Sequence, residues 1–314
     1  MNRENFIKAA LSTYPELTDT ITRQQILRVM EDYKLKWPNL DRVAHGKYAF
    51  PGVSVTQQQT PTESDAEIGI RIRETYQAMD DMVRAVAANA VNSLVIAGGA
   101  GLGKSYGVNK ILQDVNEGEY GYVFHRGFLK GSHLFRMLWE NRFPGQVIVI
   151  DDCDIWEDQQ TLNLLKAALE MKPVRRIGWG SEKVFMSEDE EEIPRYFDFE
   201  GSIIFLTNLK IRELIEAGNK NSAHLAAIES RSLVLDMKIN TKKEYLIKIR
   251  QTVEAGMLQV QGFNIHEEKE IMEFFESNID KFYEVSLRMI EKVAKIYRAL
   301  PNSWEVSARR VCFK

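Results

Sequence analysis

The sequence has few features that would stabilise the chain covalently or place it at a membrane. Its two cysteines, Cys153 and Cys312, are too few for a disulfide framework, and their scarcity predicts a reducing, cytoplasmic setting. No apolar run approaches the roughly 18 residues of a membrane span. Met1-Asn2-Arg3-Glu4 lacks the basic-then-apolar layout of a signal peptide, so no membrane partner is expected. A surplus of positive charge is missing too: 41 Lys and Arg stand against 45 Asp and Glu, a net charge of −4. That balance argues against a globally basic nucleic-acid binder and leaves room for a local basic surface. The chain is otherwise 44% hydrophobic and 27% charged, the composition of a globular protein, and its 314 residues suffice for two or three domains.

Against that background one stretch stands out. Gly98-Gly99-Ala100-Gly101-Leu102-Gly103-Lys104-Ser105 fits G-x-x-x-x-G-K-[ST], the P-loop. The apolar run Leu94-Val95-Ile96 leads in, and a helix-like segment from Ser105 to Asp114 leads out. Such a strand–loop–helix lets bare backbone N–H groups and a helix N-terminus face one phosphate chain. Lys104 is then placed for the β- and γ-phosphates and the Ser105 hydroxyl for Mg²⁺, which makes Mg·ATP the expected ligand. Tyr106, next along the helix, completes the candidate nucleotide-binding set.

Residues 1–51 read as a separate module. A short helix is expected at Glu4–Leu11. A second follows the capping-box spacing Thr22-Arg23-Gln24-Gln25, carries Ile26, Leu27, Val29, Met30 and Tyr33, and is stopped by Trp37-Pro38. Arg42 to Pro51 alternates around Gly46 as a hairpin does. Two helices and a basic hairpin resemble a winged-helix or helix-turn-helix module, and a protein-docking module fits the same residues equally well. Residues 52–66 are polar and read as a linker. Then Ile72, Tyr76, Met79, Val83 and Val86 mark a long amphipathic helix. Strand-like runs at Ser93–Ala97, Tyr120–His125, Gln146–Ile150, Ser202–Thr207 and Leu233–Met237 alternate with helical patterns such as Ser132–Asn141 and Gln160–Met171. Continuous apolar strands separated by helices point to an α/β fold with a parallel sheet covered on both faces. Residues 67–239 therefore read as an α/β nucleotide-binding domain. From Asn240 the pattern is helical: a capping box at Thr241-Lys242-Lys243-Glu244, then stretches near His266–Ser277 and Lys281–Leu300, a helical domain over 240–314.

Val147 to Ile150 is an apolar strand ending in Asp151-Asp152, with Asp154 close behind. An acid at the end of a strand beside a P-loop can hold Mg²⁺, and the next can orient or deprotonate water. Asp151 is accordingly assigned to the metal together with Ser105, and Asp152 to the water. Ile203 to Thr207 ends in Asn208, which can bond the γ-phosphate and the water. Ser230-Arg231 ends a helix just before the last strand.

Together these residues resemble the AAA+ ATPases. The P-loop matches their Walker A, Val147–Asp152 their Walker B, and Thr207-Asn208 their sensor 1. Ser230-Arg231 is similar to their arginine finger, and Ser286-Leu287-Arg288 to their sensor 2, which adds Arg288 to the nucleotide-binding set. The Asp151-Asp152-Cys153-Asp154 stretch, with Leu162–Leu169 and Arg176–Trp179, also resembles phage- and plasmid-encoded members. The resemblance implies a five-stranded sheet in the order 5-1-4-3-2 and a helical C-terminal lid. It also implies ring assembly, usually as a homo-hexamer, with Arg231 acting on the neighbour's nucleotide. Phe128-Leu129-Lys130-Gly131 looks like a pore loop; a plain turn around a buried Phe fits as well. The Gly180–Pro194 loop, with its acidic run Glu188–Glu192, reads as a solvated, mobile insertion. One departure is Asp152, where most of the family has Glu: the shorter carboxylate stands farther from the water and points to slow hydrolysis.

The resulting expectation is an ATP hydrolase whose ring moves a macromolecule, with three candidate roles. DNA is the first, as in a translocase, helicase or helicase loader. A protein substrate is the second, favoured by the negative charge and the Phe128 loop. A DNA-bound regulator using ATP as an assembly switch is the third, favoured by Asp152.

Overall fold

Apolar strands alternating with amphipathic helices settle into the layers their periodicity calls for. A computed structural model describes residues 3–14, 17, 20–35, 37, 38, 40, 42–44, 46–49, 63–115, 121–153, 158–182, 184–218 and 222–314. The chain forms two units, Met1–Glu63 and Ser64–Lys314.

In the first unit, helices Arg3–Thr13 and Arg23–Asp32 flank a short strand, Thr20–Thr22. That strand pairs antiparallel with Lys47–Ala49, which pairs with Arg42–Ala44 around Gly46. The hairpin is where the alternation places it; the third strand has no sequence signature at three residues. Thr22 caps the second helix as expected, its Oγ1 accepting from Gln25 N at 3.3 Å while Gln25 Oε1 accepts from Thr22 N at 2.9 Å. The helix stops at Asp32, earlier than Trp37-Pro38, because Lys34 turns into the left-handed region at φ +51°. Phe6, Ala10, Ile21, Ile26 and Val29 form this unit's small core.

Most of the expected linker, and Asp154, lie outside the described residues. Its last two residues are helical: Ser64 caps the helix Asp65–Ala87 (α1) in a box with Glu67. In the second unit the strands of the main sheet are β1 (Ser93–Ala97), β2 (Tyr122–Arg126), β3 (Val147–Asp151), β4 (Ser202–Thr207) and β5 (Leu233–Asp236). All neighbours are parallel, and the order is 5-1-4-3-2. Strand residues alternate between two cores, as a pleated strand requires. Leu94, Ile96, Val147, Val149, Ile204 and Leu206 join one core, with α1 and the helix Lys104–Val115 (α2). Val95, Ile148, Ile150, Ile203 and Phe205 join the other, with the helices Gly131–Glu140 (α3) and Gln159–Ala168 (α4). Helices Ile211–Glu216 (α5) and Ser222–Glu229 (α6) precede β5.

Between α4 and β4 the structure departs from expectation. Arg175–Gly178 pairs antiparallel with Tyr196–Phe199, and Phe185–Met186 pairs with Glu192–Ile193, so the acidic run is the tip of a ribbon. Phe135 of α3 anchors it, with ring centroids 5.2 Å from Phe197 and 5.5 Å from Phe185.

The C-terminal helices are Lys242–Glu254 (α7), Met257–Val260 (α8), Ile265–Ser277 (α9), Leu287–Ala299 (α10) and Trp304–Cys312 (α11), gathered on a third core that includes Val253, Leu258, Phe275, Ile290 and Ala308. The helix expected from Lys281 begins only at Leu287, because Phe282 bridges to Phe313 and Ser286 caps α10. The lid is tied to α1 by the Arg71–Glu244 ion pair at 2.6 Å and by Gln251 Nε2 donating to Gly69 O at 2.8 Å. Among the described residues no helix is long and apolar enough to cross a membrane.

Candidate nucleotide site

The strand order builds the site. Because β4 lies between β1 and β3, the C-terminal ends of these three parallel strands meet at one edge, where such sheets place their ligands. The P-loop leaves β1, Asp151 ends β3, and Asn208 follows β4. Lys104, at the start of α2, is 7% exposed. Its Nζ donates to the backbone oxygens of Gly98 and Gly99, both at 2.8 Å, and to Asn208 Oδ1 at 2.9 Å. Burial pulls its ammonium down to about 8, against the opposing pull of Asp152 and Asp151. Asn208 Nδ2 donates to both carboxylate oxygens of Asp152 at 3.0 Å, so Asn208 bridges the lysine and the second acid. Asp152 sits at φ +52°, a conformation that Asp tolerates better than most residues, and its carboxylate is exposed. Asp151 is 9% exposed and accepts from Ser105 Oγ at 3.0 Å.

The lid closes on the loop at Gly101. This residue has φ +70°, and a Cβ there would lie 2.5 Å from Ser286 Cβ, so only glycine allows the approach. Leu287 N donates to Gly101 O at 3.0 Å, which pins the start of α10 to the P-loop and brings Arg288 to the site. The Tyr76 hydroxyl of α1 also holds the loop, donating to Leu102 O at 2.5 Å.

A cavity of about 890 Å³ results. Gly101 to Tyr106, Asp151, Asp152, Asn208 and Arg288 line it, whereas the expected Gly98, Gly99 and Ala100 do not. Arg231 and the segment Phe128–Lys130 lie apart. Arg231 folds back onto its own helix, Nη1 donating to Ala227 O at 2.7 Å. In the loop after β2, Phe128 is 75% exposed whereas Leu129 is 2% exposed, so Leu129 is a core residue and only its neighbours face solvent.

Besides Lys110, Gly127, Thr252 and Glu291, two parts of the lining are absent from the sequence reading. Arg126 ends β2 and donates from Nε to Asp151 Oδ2 at 2.8 Å. Its one signal is its place at the end of an apolar strand, informative only once register pairs it with Asp151. The other part is the lid wall of Ala255, Gly256, Met257, Val260 and Gln261, which carries no motif.

The donor set suits a metal-bound triphosphate: an ammonium held by neutral oxygens alone, a hydroxyl and a carboxylate sharing one position, and a cavity in the usual range for ligand sites. No family model matches the chain. It is 31% identical over 261 residues to an uncharacterized 36.7 kDa protein of the nrdC-mobD intergenic region of Enterobacteria phage T4, covering 82% of this chain and 78% of that protein. Among solved structures it is similar to a RuvB mutant of Thermotoga maritima, with 14% identity, TM-score 0.42, and coverage of 79% of this chain and 70% of that one. It is also similar to AMPPCP-bound DnaA from Aquifex aeolicus, with 13% identity, TM-score 0.42, and coverage of 76% and 64%. The chain shares a family with the phage T4 protein, and its sheet order, which sets Asn208 between a P-loop and two acids under a helical lid, is the arrangement that the resemblance to the AAA+ ATPases implies.

Proposed function

We propose that the chain binds Mg·ATP in this cavity and hydrolyses it as a subunit of a ring that moves a macromolecule, DNA first among the candidates. The observation that carries the reading is Lys104, a buried ammonium whose three hydrogen-bond acceptors are all neutral oxygens. Such a group lacks a direct anionic partner, and a phosphate supplies one. Ser105 and Asp151 would provide the oxygen ligands for Mg²⁺, whose charge would offset that of the bound phosphates. Asp152 orients the attacking water and takes its proton. Asn208 fixes that carboxylate and keys it to Lys104, while Arg288 reaches the nucleotide from the lid. Arg231, outside its own cavity, acts on the nucleotide of the adjacent subunit and stabilises charge developing there.

Turnover of a fluorescently monitored ATP pool tests the reading. Asp152→Asn keeps binding and loses about 10²–10⁴ in rate, as expected for a missing general base. Arg231→Ala binds normally and loses about 10³–10⁵. Mixing Arg231→Ala with Lys104→Ala subunits restores activity above the sum of the two wherever a finger of one meets a site of the other. If subunits exchange and nothing returns, subunits linked in defined order decide whether Arg231 acts within its own chain. The preference for DNA is supported by the first unit, whose helices and small three-stranded sheet suit a winged-helix-like reader. A protein substrate is the second reading, favoured by the exposed ring of Phe128. Stimulation of turnover by single-stranded DNA, duplex DNA or unfolded protein separates the two.

A further inference from the structure

Asp151 is already engaged on both oxygens. Oδ1 accepts from the Ser105 hydroxyl at 3.0 Å, and Oδ2 accepts from Arg126 Nε at 2.8 Å. The second contact is an ion pair on the carboxylate assigned to the metal. The guanidinium is also braced by a ring, its carbon lying 5.3 Å from the centroid of Phe124 on the same strand. Its side chain is 62% exposed, and it is followed by Gly127 in the left-handed region at φ +93°, so both arginine and backbone have room to turn. Two cations within contact distance of one carboxylate repel each other, and Mg²⁺ requires a near-ideal octahedron of oxygens that a guanidinium cannot join.

We propose that Arg126 is a tethered counter-cation on Asp151 that must withdraw before Mg²⁺ can use that carboxylate. Arg126 thereby sets the metal concentration at which the site loads. The inference rests on the Mg·ATP reading above. It makes Arg126 a positioning residue, one that acts on the metal through Asp151.

The test is the affinity of the full-length protein for a fluorescent ATP analogue, titrated with Mg²⁺ and repeated without metal. Arg126→Gln lowers the half-saturating Mg²⁺ about two- to fivefold, the upper part of the range for loss of a competing, largely exposed ion pair. Affinity without metal stays within about twofold of the parent. Arg126→Lys, which keeps the charge, shifts the half-saturating Mg²⁺ less than Arg126→Gln does. Placed on Asp151→Asn, the Gln substitution has no further effect, since the contested carboxylate is gone. Thermal unfolding confirms that each variant is folded. An unchanged or raised half-saturating Mg²⁺ in Arg126→Gln overturns the proposal. So do equal shifts from Gln and Lys, which would assign the effect to shape. Weakened metal-free binding with an unchanged Mg²⁺ requirement also overturns it, by making Arg126 a phosphate ligand. A parent protein that binds the analogue with no response to Mg²⁺ overturns the metal reading itself, and one that does not bind overturns the nucleotide reading.

Discussion

The cavity has two sides built on opposite plans. Its floor, where β1, β3 and β4 end, is closed and polar: Lys104 and Asp151 are 7% and 9% exposed, and each is held by hydrogen bonds from within the sheet edge. Its lid wall is more open, and sets the apolar Ala255, Met257 and Val260 beside the polar Thr252 and Gln261. Val260 is 86% exposed, and Tyr106 of α2, which also lines the cavity, is 71% exposed. Val260 belongs to α8, a four-residue helix whose N-cap, Gly256, is left-handed and offers no side chain to cap it. Apart from the contact of Arg126 with Asp151, a floor fixed by its own hydrogen bonds presets where a phosphate sits before any ligand arrives, which lowers the ordering cost of binding. The wall is held by backbone bonds of its own, such as Val260 N to Gly256 O at 2.9 Å, and exposed apolar surface such as that of Val260 gains most when a flat ring covers it. Phosphate affinity should therefore reside in the floor and grip on the base in the wall.

Lys104→Ala is the most severe challenge to that division. It removes three hydrogen bonds to neutral oxygens and the cation that would meet the phosphates, so affinity for a fluorescent ATP analogue should fall about a hundredfold or more. The unfolding midpoint should hold or rise, because a desolvated ammonium is deleted along with its bonds. Retained affinity would move the phosphate site away from the floor. A milder challenge addresses the wall. Val260→Asp places a charge where the base is expected and should weaken the analogue about three- to tenfold, leaving inorganic triphosphate, which has no base, unaffected. Equal losses for both ligands would show that the wall contributes to phosphate binding as well.

The two sides also differ in how far the sequence foretold them. The floor is made of contiguous stretches: a glycine loop, an apolar strand ending in Asp151-Asp152, and another ending in Asn208. The glycine loop keeps its meaning when read alone, and the other two stretches acquire theirs from following it; the capping boxes at Thr22 and Thr241 and the strands Ser93–Ala97 and Ser202–Thr207 are likewise legible locally. What escaped depends on distant partners. The pairing of Arg126 with Asp151 exists only through the register of β2 on β3. The bridge from Phe282 to Phe313 moves the start of α10 to Leu287, although the apolar period runs on earlier. The ribbon at 175–199 hides because its inner pair of strands has two residues each. Phe185, Ile193, Phe197 and Phe199 all point to one core, yet they are too widely spaced to read as a run.

The smallest expected effect follows from the proton on Lys104, and it separates floor from wall without touching either. In the folded, ligand-free protein burial holds this group at about 8, whereas an unfolded chain keeps it near the ordinary lysine value of 10.5. Below about pH 8 both states carry the proton, and the cost of burying it is present in full. Between the two values the unfolded state binds more protons than the folded one, so this residue makes stability rise with pH across that window. A bound triphosphate reverses the preference, since its charge favours the ammonium and lifts the folded value. Stabilisation by ATP should accordingly shrink as pH climbs past about 8, while the ligand-free protein gains from this group. Lys248 is the confounding residue: burial also draws it to about 8, with its Nζ 3.3 Å from the centroid of Tyr76, yet it does not line the cavity. Thermal melts from pH 7 to about 9.5, with and without ATP, in the parent and in Lys248→Met, resolve the two. Loss of Lys248 should flatten part of the ligand-free trend and leave the decline of the ATP increment in place. An increment that stays level across the range would mean that Lys104 keeps its proton unaided, and that the floor is better solvated than its hydrogen bonds imply.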